Sequence, residues 1–280
     1  MIEPLTPVYT EDLFPGLHDE LITLLRSLKP EDWERPTVAG SWRVRDVAAH
    51  LLDVSLRKLS GQRDRHRFPP PAEPIDGYSS LVRFLNRLNA DWVSVAGRLS
   101  PRVLTDLLEW TGPQVAAFVA SVPPHEEAPI SVAWAGEERS ENWFDNGREY
   151  TEHWHHQAQI RDAVGAPPLN ARRWLHPVLD LAVRALPVAF RHTEAPEGSA
   201  LVLDVTGEAG GFWSLVRTGD AWTLRRGEAA PAATRIRLDA DAAWRLLFNA
   251  LPPEAARRAL AVEGDPALLA PLLAARGVMV

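Results

Sequence analysis

The 280-residue sequence contains no cysteine. Disulfides, thiolate metal ligands and a protein thiol nucleophile are therefore excluded, and any thiol chemistry would need a thiol carried by a small molecule. Lysine is almost missing as well: Lys29 and Lys58 are the only two, so nearly all the positive charge is arginine. A net charge of -7 denies the chain the basic footprint of a general nucleic-acid binder. No run of about eighteen apolar residues occurs, so no membrane span is expected. The opening MIEPLTPVYTEDLF has neither a basic region nor an apolar core. No signal peptide is read there, and the expected location is cytoplasmic.

What remains is an ordinary globular composition, 46% hydrophobic and 24% charged. The length favours two domains. From about Thr10 to Arg191 apolar residues recur mainly at helical spacing. A first helix is expected over Glu11–Leu28, its start delayed by Pro15-Gly16. A second follows Ser41, read as its cap, with Val44, Val47, Leu51 and Val54 as its apolar stripe. The spacing predicts a third over Tyr78–Leu99. A fourth, Val103–Val122, is interrupted at Gly112-Pro113. A short strand is expected at Ile130–Trp134, a long helix over Ser140–Val164, and a last one over Arg172–His192, disturbed at Pro177 and Pro187. After about Ala195 the period changes. ALVLDV, FWSLVR, AWTLRR and TRIRL read as strands, and the helical spacing that follows them completes a small α+β domain. The expected division is 1–194, helical, and 195–280, α+β.

The stretch TEHWHHQAQIRDAVG carries three of the nine histidines within a few residues of Glu152. At 100° per residue, Asp145, Glu149, Glu152, His153 and His156 share about a third of the circumference, while His155 points elsewhere. Two Glu-x-x-x-His pairs result, Glu149 with His153 and Glu152 with His156. Each can offer a carboxylate oxygen and an imidazole nitrogen to one ion. A third ligand must come from another element, and His50, at the edge of the second helix's apolar stripe, is the best placed. Such a set leaves positions open for water or substrate. A solvated Glu/His face and a structural His50 fit the same spacing, and spacing alone does not choose.

LKPEDWERPTVAGSWRVRDVAAHLLD resembles the opening of the DinB-like, mycothiol-dependent maleylpyruvate isomerase family, and REYTEHWHHQAQIRDAVG is similar to a later helix of that family. The resemblance covers roughly residues 5–170. It implies a DinB-like four-helix bundle with one divalent metal, zinc by expectation and nickel as the alternative. A smaller C-terminal domain with sterol-carrier-like features is implied less specifically. Carried over residue by residue, it implies His50, Glu152 and His156 as metal ligands, with Glu149 and His153 as the alternate register. Where the family often has Asp three residues after the second histidine, this chain has Gln159, which removes a carboxylate that could orient the imidazole. Arg148 and Arg161 flank the motif as candidates to receive a substrate carboxylate.

The activity implied is a metal-dependent isomerase or transferase that uses a low-molecular-weight thiol such as mycothiol or bacillithiol. Its partners would be that thiol and a small-molecule substrate, with neither nucleic acid nor membrane involved. Two other classes stay open: a hydrolase using metal-bound water, and a non-catalytic binding protein for a small apolar ligand.

Overall fold

The computed structural model describes residues 1–232 and 234–279. Its helices in chain order are α1 Phe14–Ser27, α2 Val44–Arg57, α3 Tyr78–Ala96, α4 Pro101–Ser121, α5 Asn142–Val164, α6 Arg172–Ala182 and α7 Leu186–Phe190, then α8 Ala240–Leu247, α9 Pro253–Ala259 and α10 Leu269–Ala274. The strands are β1 Glu3–Pro4, β2 Ala200–Thr206, β3 Gly211–Thr218, β4 Ala221–Arg226, β5 Thr234–Asp239 and β6 Ala261–Glu263. None of the described helices is long and apolar enough to cross a membrane.

The contacts group these elements into two compact units. One comprises residues 9–129 and 152–168 and is a helical bundle of α1 to α4 with the C-terminal part of α5. Its core joins Leu21, Leu24 and Leu25 of α1, Val44, Val47, Leu51 and Leu52 of α2, Leu104 and Leu108 of α4, and Ile160 of α5. Each buried leucine or valine removes enough apolar area from water to contribute about 1.5–3 kcal/mol. The buried face of α1 carries Phe14, Leu17, Leu21, Leu24 and Leu25, and Pro15 stands in its first turn, where the missing N–H costs nothing.

Two local expectations change. Ser41 does not cap α2; the cap is Arg43, two residues on, where the Asp46 carboxylate accepts the Arg43 backbone N–H at 2.9 Å. A carboxylate at this third helical position satisfies a free donor and meets the positive end of the helix dipole. Gly112-Pro113 does not interrupt α4, which runs unbroken from Pro101, capped by Ser100. Side chains bond back into the ladder on either side of the proline: Thr111 Oγ1 donates to the Leu107 carbonyl at 3.0 Å, and Gln114 Nε2 to that of Trp110 at 3.0 Å.

The other unit comprises residues 1–8, 130–151 and 169–280. It holds a six-stranded sheet in the order β1-β4-β3-β2-β5-β6. The pairs are antiparallel except β2 with β5, where Leu203 lies beside Ile236 in a parallel register. The four expected strand segments are β2 to β5, and β1 and β6, two and three residues long, extend the edges. The strand expected at Ile130–Trp134 is not formed. Val132 is fully buried, its N–H bonded to Ser140 Oγ at 2.9 Å, and Ala133–Ala135 is a 3₁₀ turn. Arg172–His192 breaks into α6 and α7, with Pro187 in the first turn of α7. Asp180 of α6 is buried and accepts from Trp213 Nε1 of β3 at 2.7 Å and from Arg226 of β4 at 2.6 Å. Contacts thus join α6 and α7 to the sheet, whereas the sequence division at 194/195 places them before it.

Candidate metal centre

His50 stands in the middle of α2, 3% exposed. The loop leading into that helix is pinned by a bridge between Pro36 and Arg43 and by Thr37 Oγ1 donating to the Trp42 carbonyl at 2.7 Å. This fixes the Trp42 indole against the site, its ring centre 5.0 Å from that of His50 and 6.3 Å from that of His156. On α5, Gln157 Nε2 donates to the Leu17 carbonyl at 3.0 Å, and Arg161 reaches the Glu20 carboxylate at 2.9 Å. Residues 157 and 161 lie one turn apart, so together they set the rotation of α5 about its axis. The face carrying Glu152 and His156 is thereby turned toward His50.

The three meet at one point. His50 Nε2 is 2.9 Å from Glu152 Oε1, His156 Nε2 is 3.3 Å from the same oxygen, and one ligand atom from each lies within 4.8 Å of the others. The two imidazoles meet edge to face with centres 4.7 Å apart. Among the described residues this is the group of three His, Cys, Asp or Glu side chains arranged to hold an ion. An ion bound tetrahedrally at about 2.0–2.2 Å sets its ligand atoms a little over 3 Å apart. The two distances to Glu152 Oε1 match that, and the donor set of two imidazoles and one carboxylate fits a divalent metal.

The electrostatics agree. Burial lowers the His50 pKa and so favours the neutral imidazole that a metal requires, against the opposing influence of its hydrogen bond to Glu152. Burial alone would raise the Glu152 carboxyl, but the adjacent His156 and His50 imidazoles outweigh it and hold the group well below the usual carboxylate range. Behind the site, His156 Nδ1 lies 2.8 Å from Gln159 Oε1, while His50 Nδ1 is buried without a hydrogen-bond partner. The amide oxygen of Gln159 therefore stands where the sequence reading counted a carboxylate as lost.

The alternate register goes elsewhere. His153 packs edge-on to Phe14, ring centres 6.0 Å apart, and lines a small cavity with His18 and Gly112. Glu149, 3% exposed, lies 3.4 Å from the Arg148 guanidinium. His155 is buried with its ring centre 4.0 Å from that of His156. Asp46 is held by Arg43 and Asp53 by Arg57, so each of these carboxylates faces an arginine. Arg161 is engaged by Glu20, Gln157 and the Pro167 carbonyl, and Arg148 by Asp145 at 2.6 Å. Both arginines flanking the motif thus have acceptors within the protein.

Comparison with known proteins bears on the same residues. The family profile described as the mycothiol maleylpyruvate isomerase N-terminal domain matches residues 14–161, more than half of the chain. The crystal structure of the mycothiol-dependent maleylpyruvate isomerase superposes with a TM-score of 0.53 at 11% identity, covering 84% of this chain and 86% of that one. A histidine-to-alanine mutant of that enzyme gives 0.48 at 12% identity, with 84% and 86% covered. No curated protein matches. At such identity the first superposition speaks for the fold alone: a helical N-terminal domain followed by an α+β part. The profile match over α1 to α5 assigns the family, and the chain belongs to the mycothiol maleylpyruvate isomerase family through its N-terminal domain.

Proposed function

We propose that the protein is a metal-dependent isomerase or transferase that uses a low-molecular-weight thiol, with His50, Glu152 and His156 as its metal ligands. The observation that carries this reading is the convergence of two imidazole nitrogens and one carboxylate oxygen within 4.8 Å, in a chain of this family. Zinc is the metal assigned, with nickel second. Mycothiol is the first thiol to consider, because the family description names it, and bacillithiol the second. The metal, when bound, would lower the pKa of a thiol and hold it as thiolate at neutral pH.

The chain's own residues do the remainder. Three protein ligands leave room for an exogenous one, as catalytic sites require. Glu152 supplies the single negative charge of the set, so a divalent ion would leave the centre net positive and attractive to an anionic thiolate or carboxylate. Trp42 lies against the His50 ring and restricts its rotation. With no cysteine in the sequence, the sulfur must come from the cofactor. The reading places the protein in the cytoplasm, where small thiols are kept reduced.

The test has two parts. Elemental analysis after dialysis should find about one divalent ion per chain, lost in His50→Ala, Glu152→Ala and His156→Ala. Cis–trans isomerisation or conjugation of small unsaturated acids is then assayed with mycothiol, bacillithiol, glutathione and no thiol. Turnover that needs a thiol supports the proposal. Equal turnover without one would overturn the thiol requirement, products that have gained water would favour a hydrolase with metal-bound water, and retention of a small apolar ligand without turnover would favour a binding role.

A further inference from the structure

A neutral imidazole carries one proton on one of two nitrogens, and the partner of each nitrogen decides which. For His156 the partners compete. Gln159 Oε1 lies 2.8 Å from Nδ1, and Glu152 Oε1 lies 3.3 Å from Nε2. Both oxygens are acceptors, so both draw the same proton. If the proton sits on Nε2, it points at Glu152 and the lone pair turns away from His50. If it sits on Nδ1, the Nε2 lone pair faces the point where His50 Nε2 and Glu152 Oε1 already meet.

We propose that Gln159 is a positioning residue: its amide oxygen holds the His156 proton on Nδ1 and so presents the Nε2 lone pair to the shared point. Glu152 Oε1 is already engaged by His50 Nε2 at 2.9 Å and stands 3.3 Å from His156, beyond the usual hydrogen-bond range, so the 2.8 Å contact at the buried Nδ1 holds the proton. The spacing is suited to this, since residues 156 and 159 lie on one helix face. The chemistry of the acceptor matters as well. A carboxylate at 159 would orient the ring equally well, but it would add a second negative charge behind the ligand and make the imidazole a stronger donor. The neutral amide fixes the tautomer without adding a charge behind the ligand. This proposal rests on the metal reading only in its last consequence; the tautomer itself is a property of the metal-free protein.

The experiment separates the two. The ring-nitrogen shifts of His156 are recorded by NMR on metal-free, ¹⁵N-histidine-labelled full-length protein, for wild type, Gln159→Leu and Gln159→Glu. Zinc affinity of each is measured by chelator competition. The expected result is an Nδ1–H tautomer in wild type and an Nε2–H tautomer in Gln159→Leu, with zinc affinity about 10–100-fold lower in the latter. Gln159→Glu should restore both the tautomer and the affinity, a rescue that general loss of packing would not give. An unchanged tautomer in Gln159→Leu overturns the proposal, as does an Nε2–H tautomer in wild type. A shifted tautomer in a protein that binds no zinc at all upholds the positioning role of Gln159 and removes the metal assignment instead.

Discussion

His18 of α1 lies with its ring against α4, and burial, followed by the charge of His153, lowers its pKa from 6.5 to about 4 against the raising influence of Asp19 and Glu109. The unfolded chain therefore takes up this proton first. The stability contributed by a neutral His18 is whole above about pH 6.5 and is lost as the pH falls from there toward 4. Its size is about 3 kcal/mol. His18→Gln should flatten that part of the stability profile in urea unfolding between pH 7 and 4; an unaltered profile would show that the group stays solvated. The neighbouring His153 belongs to this α1 contact and not to the meeting of His50 with Glu152 and His156. His153→Ala and Glu149→Ala should accordingly weaken metal binding less than Glu152→Ala and His156→Ala, as read by zinc competition. The sequence allowed either pair, because residues one turn apart project alike. The i,i+4 pattern was legible; the rotation of α5 set by Gln157 and Arg161 was not, since it depends on carbonyl and carboxylate groups of α1 more than a hundred residues away. The part played by Gln159 was hidden for a similar reason. An amide oxygen shows its use only when the ring beside it has been placed.

At the scale of elements, α4 shows best how tertiary contact overrides a local signal. Gly112-Pro113 reads as a break, yet the helix passes through it. The glycine is used for packing: a Cβ built there would fall 2.1–2.3 Å from three atoms of the His18 ring. Alanine normally gains about 1 kcal/mol over glycine inside a helix. Here Gly112→Ala should instead destabilise by about 1–3 kcal/mol, the cost of overpacking. In a His18→Ala background the ring is gone, and the same substitution should turn neutral or stabilising. A double-mutant cycle by urea denaturation measures that reversal of sign, and additive effects would refute the contact. Strong amphipathic segments such as α1 and α2 and the alternating strands β2 to β5 were readable because their period follows directly from burial. The Ile130–Trp134 segment misled for the opposite reason: Val132 and Trp134 are buried by a turn held on Ser140 and not by a ladder, while Ile130 is exposed.

The whole chain is organised by contacts that run against its order, and the consequence is sharpest when it is shortened. A chain ending near His192 follows the natural punctuation of the sequence. It would nevertheless leave α6 and α7 without the sheet against which they are buried. Leu175, Val178, Leu179, Leu186 and Phe190 are all 0% exposed in the full-length chain. Phe190 loses Trp222, whose ring centre lies 5.5 Å away, and Asp180 loses both Trp213 Nε1 and Arg226. Only the Arg184 guanidinium, 3.9 Å away, would remain beside this carboxylate, and removing its two close partners costs up to about 3–5 kcal/mol before the exposed apolar surface is counted. Such a protein should be recovered as aggregate, or as a species with weakened near-ultraviolet dichroism and a non-cooperative thermal transition. Loss of activity on truncation would then report loss of folding and assign no catalytic part to residues 195–280. Asp180→Asn in the full chain is the gentler probe. It should lower the midpoint of unfolding by several degrees and leave zinc affinity unchanged, because His50, Glu152 and His156 all belong to the helical unit. A truncated chain that is monomeric and unfolds cooperatively would show that α6 and α7 do not depend on the sheet.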